Sequence, residues 1–339
     1  MKTEPDSLYL ASELPREQQA LHAKCFHPSG LFTEFAKAEI EQSVLDRFEQ
    51  IVEKYPDRIA VKTPTQSLTY TELNSIANRV ASAIAEPQGD RPGPVGILIN
   101  SGWRLLAAML GVWKAGKFVA LLDPLFPSFR IAAMLEDSEA DLVIADQQNV
   151  SLATDAASNR RLLEFESIER SEPVKSPRRQ LAPDALACIV YTSGSTGQAK
   201  AVILTHRNML HQSWLFTNAY HLCAQDRITL LTSGTSNTVH NALLALLNGA
   251  TLLPFDVRQN RINRLPDWLA RGKISICLLS SPLFRSLCQA LTGKEMFSDL
   301  RLIRLRSEAI YKSDFDLYKK HFPRHCLLAS SLASSETGL

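Results

Sequence analysis

Short apolar runs alternate with amphipathic stretches along most of this chain, and that alternation restricts its fold more than any other feature. Residues 58–61, 95–99, 117–122, 141–145, 186–190, 201–204, 227–232 and 251–255 read as buried strands. Between them lie stretches with helical spacing. Ser43 with Asp46 three positions on is a capping signature, and Val44, Phe48, Ile51 and Val52 then share one face up to Tyr55 and Pro56. An apolar stripe runs from Leu73 through Ile76, Val80 and Ile84, and further helices are expected over 103–113, 130–135, 206–215 and 239–247. The last of these stops at Asn248-Gly249, a usual helix end. Repeated strand–helix alternation predicts an α/β fold on a largely parallel sheet. Two stretches lack the pattern. Residues 1–40 are interrupted by Pro5, Pro15, Pro28 and Gly30 and read as an arm or linker. Residues 145–183 read as polar connection, and the basic run at 175–179 as a solvated loop.

One connection carries chemistry. Tyr191-Thr192-Ser193-Gly194-Ser195-Thr196-Gly197-Gln198-Ala199-Lys200 stands between two apolar runs. Gly194 and Gly197 permit positive φ and close approach of a ligand to the main chain. Successive free N–H groups in such a turn form a concave anion site, the four hydroxyls add donors, and Lys200 adds a full charge. This suits a polyphosphate. A P-loop is excluded, because after Gly194 and four intervening residues the chain has Ala199 rather than glycine, and a strand follows instead of a helix. A Ser/Thr/Gly turn without a ligand is the competing reading.

Composition limits the remaining classes. Thirty-seven Lys and Arg against 35 Asp and Glu give no reason to expect nucleic acid or an anionic membrane surface. The six cysteines show no metal spacing and read as core residues of a reducing compartment. No signal peptide and no run of about 18 apolar residues is evident, so a cytoplasmic protein is expected.

The ten-residue stretch resembles the phosphate loop of the adenylate-forming, AMP-binding superfamily, Y-T-S-G-[ST]-T-G-x-P-K-G, with Ala199 and Ala201 in place of proline and glycine. Other segments resemble the family's signatures in the family's order. These are 68–74 (a threonine-capped helix start), 114–124, 300–310, and 332–338 (Y-G-x-[ST]-E-x-[GT], with Leu332 for the tyrosine). Asp123 reads as a turn residue before Pro124.

Closest in texture are the adenylation domains of nonribosomal peptide synthetases. The resemblance implies stacked α/β subdomains spanning residues 41–339, without the C-terminal subdomain. It further implies that a carboxylate attacks the α-phosphorus of ATP, with Mg²⁺ present, to give an acyl-adenylate. The acyl group would then pass to a phosphopantetheine thiol of a carrier protein or to CoA. Thr192, Ser193, Gly194, Ser195, Thr196 and Gly197 would cradle phosphate with Lys200, Ser335 would contact phosphate, and Glu336 would bind Mg²⁺.

The implied substrate positions are Ser236, Asn237, Arg306 and Ser307. Ser236 falls where amino-acid-activating relatives carry an aspartate for the α-ammonium group, and serine has no such charge. A fatty, aryl, keto or hydroxy acid is therefore expected. Arg306 and Ser307 replace two glycines, and an arginine there either blocks the adenosine site or makes a new carboxylate contact. His240 reads as a partly buried structural residue. The family's ribose-binding aspartate and terminal lysine are expected beyond Leu339, so normal turnover by these residues alone is not. A degenerate, non-catalytic module working through protein contacts is the alternative, and MgATP binding separates the two.

Overall fold

Two sheets share one buried layer of helices. The computed structural model describes residues 15–29, 31–88, 92–172, 179–193, 199–231, 236–306 and 308–331. The chain runs through α1 (Arg16–Ala23), a 3-10 turn (Lys37–Ile40), α2 (Val44–Lys54), β1 (Ile59–Lys62), β2 (Ser67–Thr69) and α3 (Tyr70–Gln88). Next come β3 (Pro94–Leu98), α4 (Trp103–Lys114), β4 (Phe118–Leu121), α5 (Ser128–Asp137), β5 (Leu142–Ala145), α6 (Val150–Ala157), β6 (Arg161–Glu164) and α7 (Phe165–Glu169). Then follow β7 (Leu186–Ser193), β8 (Ala199–Thr205), α8 (His206–Tyr220), β9 (Arg227–Leu230), α9 (Ser236–Leu246) and β10 (Thr251–Pro254). The last described elements are α10 (Leu265–Arg271), β11 (Ile276–Ser280), α11 (Ser281–Ala290), β12 (Leu302–Arg306), α12 (Lys312–His321) and β13 (Leu327–Ser330).

Among the described residues one sheet has seven strands, ordered β13-β12-β11-β9-β10-β1-β2, and the other six, ordered β6-β5-β3-β4-β7-β8. Described neighbours pair in parallel except β1 with β2 and β7 with β8, which are antiparallel. Alternate residues of the central strands, such as β3, β5, β11 and β12, enter different cores, as a sheet covered on both faces requires. Val95, Ile97, Leu142 and Ile144 of the six-stranded sheet share a cluster with Ile228, Leu252, Ile276 and Leu302 of the seven-stranded one. Residues of α2, α3, α4, α8 and α9 fill that inner layer. The outer faces are covered separately: Cys277, Leu279, Ile303 and Leu305 pack with α10 and α11, and Val143 and Ala145 with α5 and α6.

Local chemistry sets the boundaries. The Ser43 N–H donates to Asp46 Oδ2 at 3.1 Å and the Asp46 N–H returns a bond to Ser43 Oγ at 3.0 Å, which satisfies free donors at the start of α2. Thr69 with Glu72, and Thr205 with Asn208, cap α3 and α8 in the same way. After α9 the chain turns at Gly249, whose φ is +72°, and a β-carbon there would lie 2.5 Å from the Tyr55 ring. The carboxylate of Asp123 accepts the Leu125 N–H at 3.1 Å, the turn role expected of it.

Residues 145–183 are more ordered than their sequence suggests. They contain α6, β6 and α7. The buried face of α6 is Ala153, Ala156 and Ala157, and such small residues give a weak apolar periodicity. Residues before 41, read as an irregular arm, include α1, and Phe35 among them is fully buried. The turn expected before α9 is shorter than read, because Ser236 and Asn237 already belong to the helix.

Candidate functional site

The hydroxyl-rich stretch lies at the edge of the six-stranded sheet, where β7 and β8 form an antiparallel hairpin. The register sets Thr192 opposite Lys200 and Ser193 opposite Ala199. The two strands therefore reach further than the sequence predicts, and Thr192, Ser193 and Lys200 are strand residues. Gly194, Ser195, Thr196 and Gly197 fall in the link between them, outside the described residues. Lys200 is exposed. The base of the hairpin is firmly held. Trp113 Nε1 donates to the Ala187 carbonyl at 2.8 Å, and the Tyr191 hydroxyl contacts the Met134 carbonyl at 2.8 Å and Asp137 at 2.9 Å.

The substrate positions gather elsewhere, at the carboxyl edge of the seven-stranded sheet. Strands β9, β11, β12 and β13 run parallel, so the start of α9 and the end of β12 emerge at one edge. Open parallel sheets characteristically bind ligands outside this edge. Ser236 opens α9, Asn237 follows half-buried, and Arg306 ends β12. Ser307, Ser335 and Glu336 lie outside the described residues.

Arg306 has a neighbour that sequence reasoning missed. Arg304 sits two residues earlier and so on the same face of β12, the inner face that Leu302 also occupies. It is fully buried, and Arg306 is 8% exposed. The Arg304 guanidinium lies 3.4 Å from the centre of the Phe216 ring and 5.9 Å from that of Tyr220, and Arg306 lies 5.9 Å from Phe216. Arg304 Nε donates to Ser331 Oγ at 3.3 Å, but among the described residues neither of its terminal nitrogens has a hydrogen-bond partner, and neither does Arg306 Nε. Burial, with Arg306 beside it, draws Arg304 down to about 9. His240 of α9 faces both. Burial first, then Arg306 and Arg304, push its imidazole down to about 3, so it is neutral at pH 7. The signal in the sequence was the alternation of arginines within Leu302-Ile303-Arg304-Leu305-Arg306.

A second polar cluster has a structural explanation. His27, Cys223 and Asp226 place potential metal-ligand atoms within 4.8 Å of one another. Both Asp226 oxygens are already engaged: Oδ1 accepts from Arg301 Nε at 2.9 Å and Ser275 Oγ at 2.7 Å, and Oδ2 from Arg301 Nη2 at 2.8 Å and the Cys223 N–H at 3.0 Å. A buried aspartate so paired with a guanidinium is a staple, not a cation site. An open groove of about 840 Å³ beside α10, lined by Arg227, Phe255, Arg264, Trp268 and Lys294 among others, includes none of the predicted site residues.

A family model described as AMP-binding enzyme matches residues 48–339. Gramicidin S synthase 2 of Brevibacillus brevis is 33% identical over 291 residues, which is 83% of this chain and 6% of that protein. Tyrocidine synthase 3 of Brevibacillus parabrevis is 32% identical over 292 residues, 85% of this chain and 4% of its own length. The chain thus spans a small part of the curated relatives it matches. In structure it resembles the N-terminal subdomain of Klebsiella oxytoca NpsA, with a TM-score of 0.78 at 20% identity over 88% of this chain and 75% of that one. A nonribosomal peptide synthetase solved with AMPPNP bound gives 0.80 at 21% identity, covering 95% of this chain and 34% of that chain. These likenesses establish the stacked α/β fold. Among the described residues no helix is long and apolar enough to cross a membrane.

Proposed function

The chain belongs to the AMP-binding enzyme family, and from that premise we propose that it takes part in the ATP-dependent activation of a carboxylic acid. In that reaction a carboxylate oxygen bonds to the α-phosphorus of ATP while the bond to the bridging oxygen of the β-phosphate breaks, releasing pyrophosphate and leaving an acyl-adenylate. A thiol, the phosphopantetheine arm of a carrier protein or CoA, then bonds to the acyl carbon while the acyl–phosphate bond breaks, giving a thioester and releasing AMP. The protein's contribution is positioning and charge neutralisation, as at other phosphorus centres. The hairpin residues Thr192 and Ser193 with the link 194–197 hold the β- and γ-phosphates, and Lys200 balances their charge. Ser335 and Glu336 complete the nucleotide side, with Glu336 the residue the sequence offers to Mg²⁺.

The observation that carries this reading is the β7–β8 register. It holds exposed Lys200 across from Thr192 at the open end of a hairpin whose base is fixed in the core. A lone lysine on a flexible loop would have no such restraint. The alternative of a non-catalytic module draws on Arg306, a large cation where the family carries a glycine. Titration calorimetry with MgATP decides between them. Binding is expected, and Lys200→Ala should weaken it by about 10- to 100-fold, the worth of one charge-assisted contact to phosphate. If MgATP does not bind, or binds the variant equally well, the adenylation reading fails.

A further inference from the structure

We propose that Arg304 and Arg306 form a buried subsite for an anion, and that this anion is a second carboxylate carried by the acid that the protein activates. The inference rests on the adenylation reading for the identity of the ligand, but on the arginines themselves for its charge.

Two guanidinium groups occupy the inner face of β12, where the neighbouring strand residues are Leu302, Leu278 and Ala329. A buried charge is retained only at considerable cost unless it is paired. Among the described residues no carboxylate lies within ion-pair distance of either arginine, and both terminal nitrogens of Arg304 lack an acceptor. The faces of Phe216 and Tyr220 offset part of that cost through cation–π contact. They do so on the flat of the guanidinium and leave its N–H fork free. His240, neutral and beside both arginines, adds an Nδ1 without a partner among the described residues. The group is thus a polar cluster on the inner layer, rich in donors and, among the described residues, without negative charge.

A planar fork that presents parallel N–H groups fits a carboxylate bidentately. The carboxylate that reacts must remain open to the nucleotide. Arg304 is fully enclosed, one alternation inside the strand end, whereas Arg306 keeps some exposure at the carboxyl edge. An anion seated on Arg304 is therefore the far end of the molecule, and Arg306 lines its route. The substrate class that follows is a dicarboxylic acid, with an apolar or aromatic middle section beside Phe216.

The test compares matched acids on the full 339-residue chain: adipate against hexanoate, and isophthalate against benzoate. Thermal unfolding and calorimetry are the readouts, with MgATP measured separately. At about 100-fold above its Kd, a diacid should raise the Tm by about 4 °C, and its monoacid partner should bind at least tenfold more weakly. Arg304→Met should abolish the preference and leave the ligand-free protein as stable as before or more so, because it removes an uncompensated buried charge. Arg306→Met, nearer the edge, should reduce the preference without abolishing it. If Arg304→Met lowers the ligand-free Tm by several degrees, the cation is paired within the chain and the subsite does not exist. Equal binding of mono- and diacid in both pairs also overturns the proposal. Should MgATP bind while the pairs stay indistinguishable, only this inference falls. Diacid binding that depends on Arg304 without any MgATP binding would leave the anion site standing and remove the adenylation reading.

Discussion

The buried histidines show how single side chains fix the pH response. His206 is fully enclosed at the start of α8, packed edge-on against Trp113 with its Nδ1 near the Val44 N–H at 3.4 Å. Burial pushes it down to about 4, against a small opposing pull from Asp46, and His240 is down at about 3. Unfolded, each titrates near 6.5. Below that value the unfolded chain takes up protons that the folded chain refuses, so stability falls as the pH falls. The loss is about 1.4 kcal/mol per pH unit for each histidine until its folded value is reached. Urea denaturation at pH 7, 6 and 5 should show this decline, and His206→Phe should reduce its slope by about one histidine's share. An unchanged slope in that variant would mean that His206 does not stay neutral in the fold. Lys114 shows the opposite solution to burial. Its ammonium, fully enclosed at the end of α4, meets Glu49 at 2.6 Å.

At the level of elements, the contact between α3 and α4 depends on a residue without a side chain. A β-carbon on Gly111 of α4 would lie 2.4 Å from Val80 Cβ and 2.8 Å from the Ala77 carbonyl of α3. The second neighbour is backbone and cannot rotate away. Gly111→Ala gains about 1 kcal/mol of helix propensity, but the forced separation of α3 and α4 should outweigh it, for a net loss of about 2 kcal/mol. Chemical denaturation measures it, and a variant as stable as the parent would show that the helices are not so tightly apposed. The polar helix α12 was not legible in the sequence for a related reason. Its anchor is a charged residue, Asp314, fully buried and held by Arg285 at 2.7 and 2.9 Å, and apolar periodicity does not register such an anchor.

Over the whole molecule, the inner cluster joins both sheets without a break. Near-UV and far-UV signals should therefore report one unfolding transition. The Asp226–Arg301 pair extends this unity to the N-terminal segment, because Arg301 also donates to the Tyr220, His221 and Cys25 carbonyls. Asp226→Ala leaves a buried cation without its partner and should cost about 3–5 kcal/mol. Limited proteolysis ahead of Phe35 should also become faster. Unaltered cleavage there would show that the N-terminal segment is held by other contacts, such as the Phe35 N–H to Asn218 at 2.9 Å.

The sequence by itself determined the α/β class, several helix starts and the two strands that flank residues 194–198, because these are encoded within a few residues of one another. Period-two and period-3.6 apolar patterns, Ser43 and Thr205 as caps and Gly249 as a stop all act through neighbours along the chain. It also singled out Lys200 and Arg306 as candidates. It did not find the partnership of Arg304, Arg306, Phe216 and His240, because these residues come from β12, α8 and α9, and only packing brings them together. Nor did it show that Asp226 is a staple, since its partner lies 75 residues away. What tertiary structure decided is which charges have partners. That depends on distance and burial, neither of which a pattern along the chain contains.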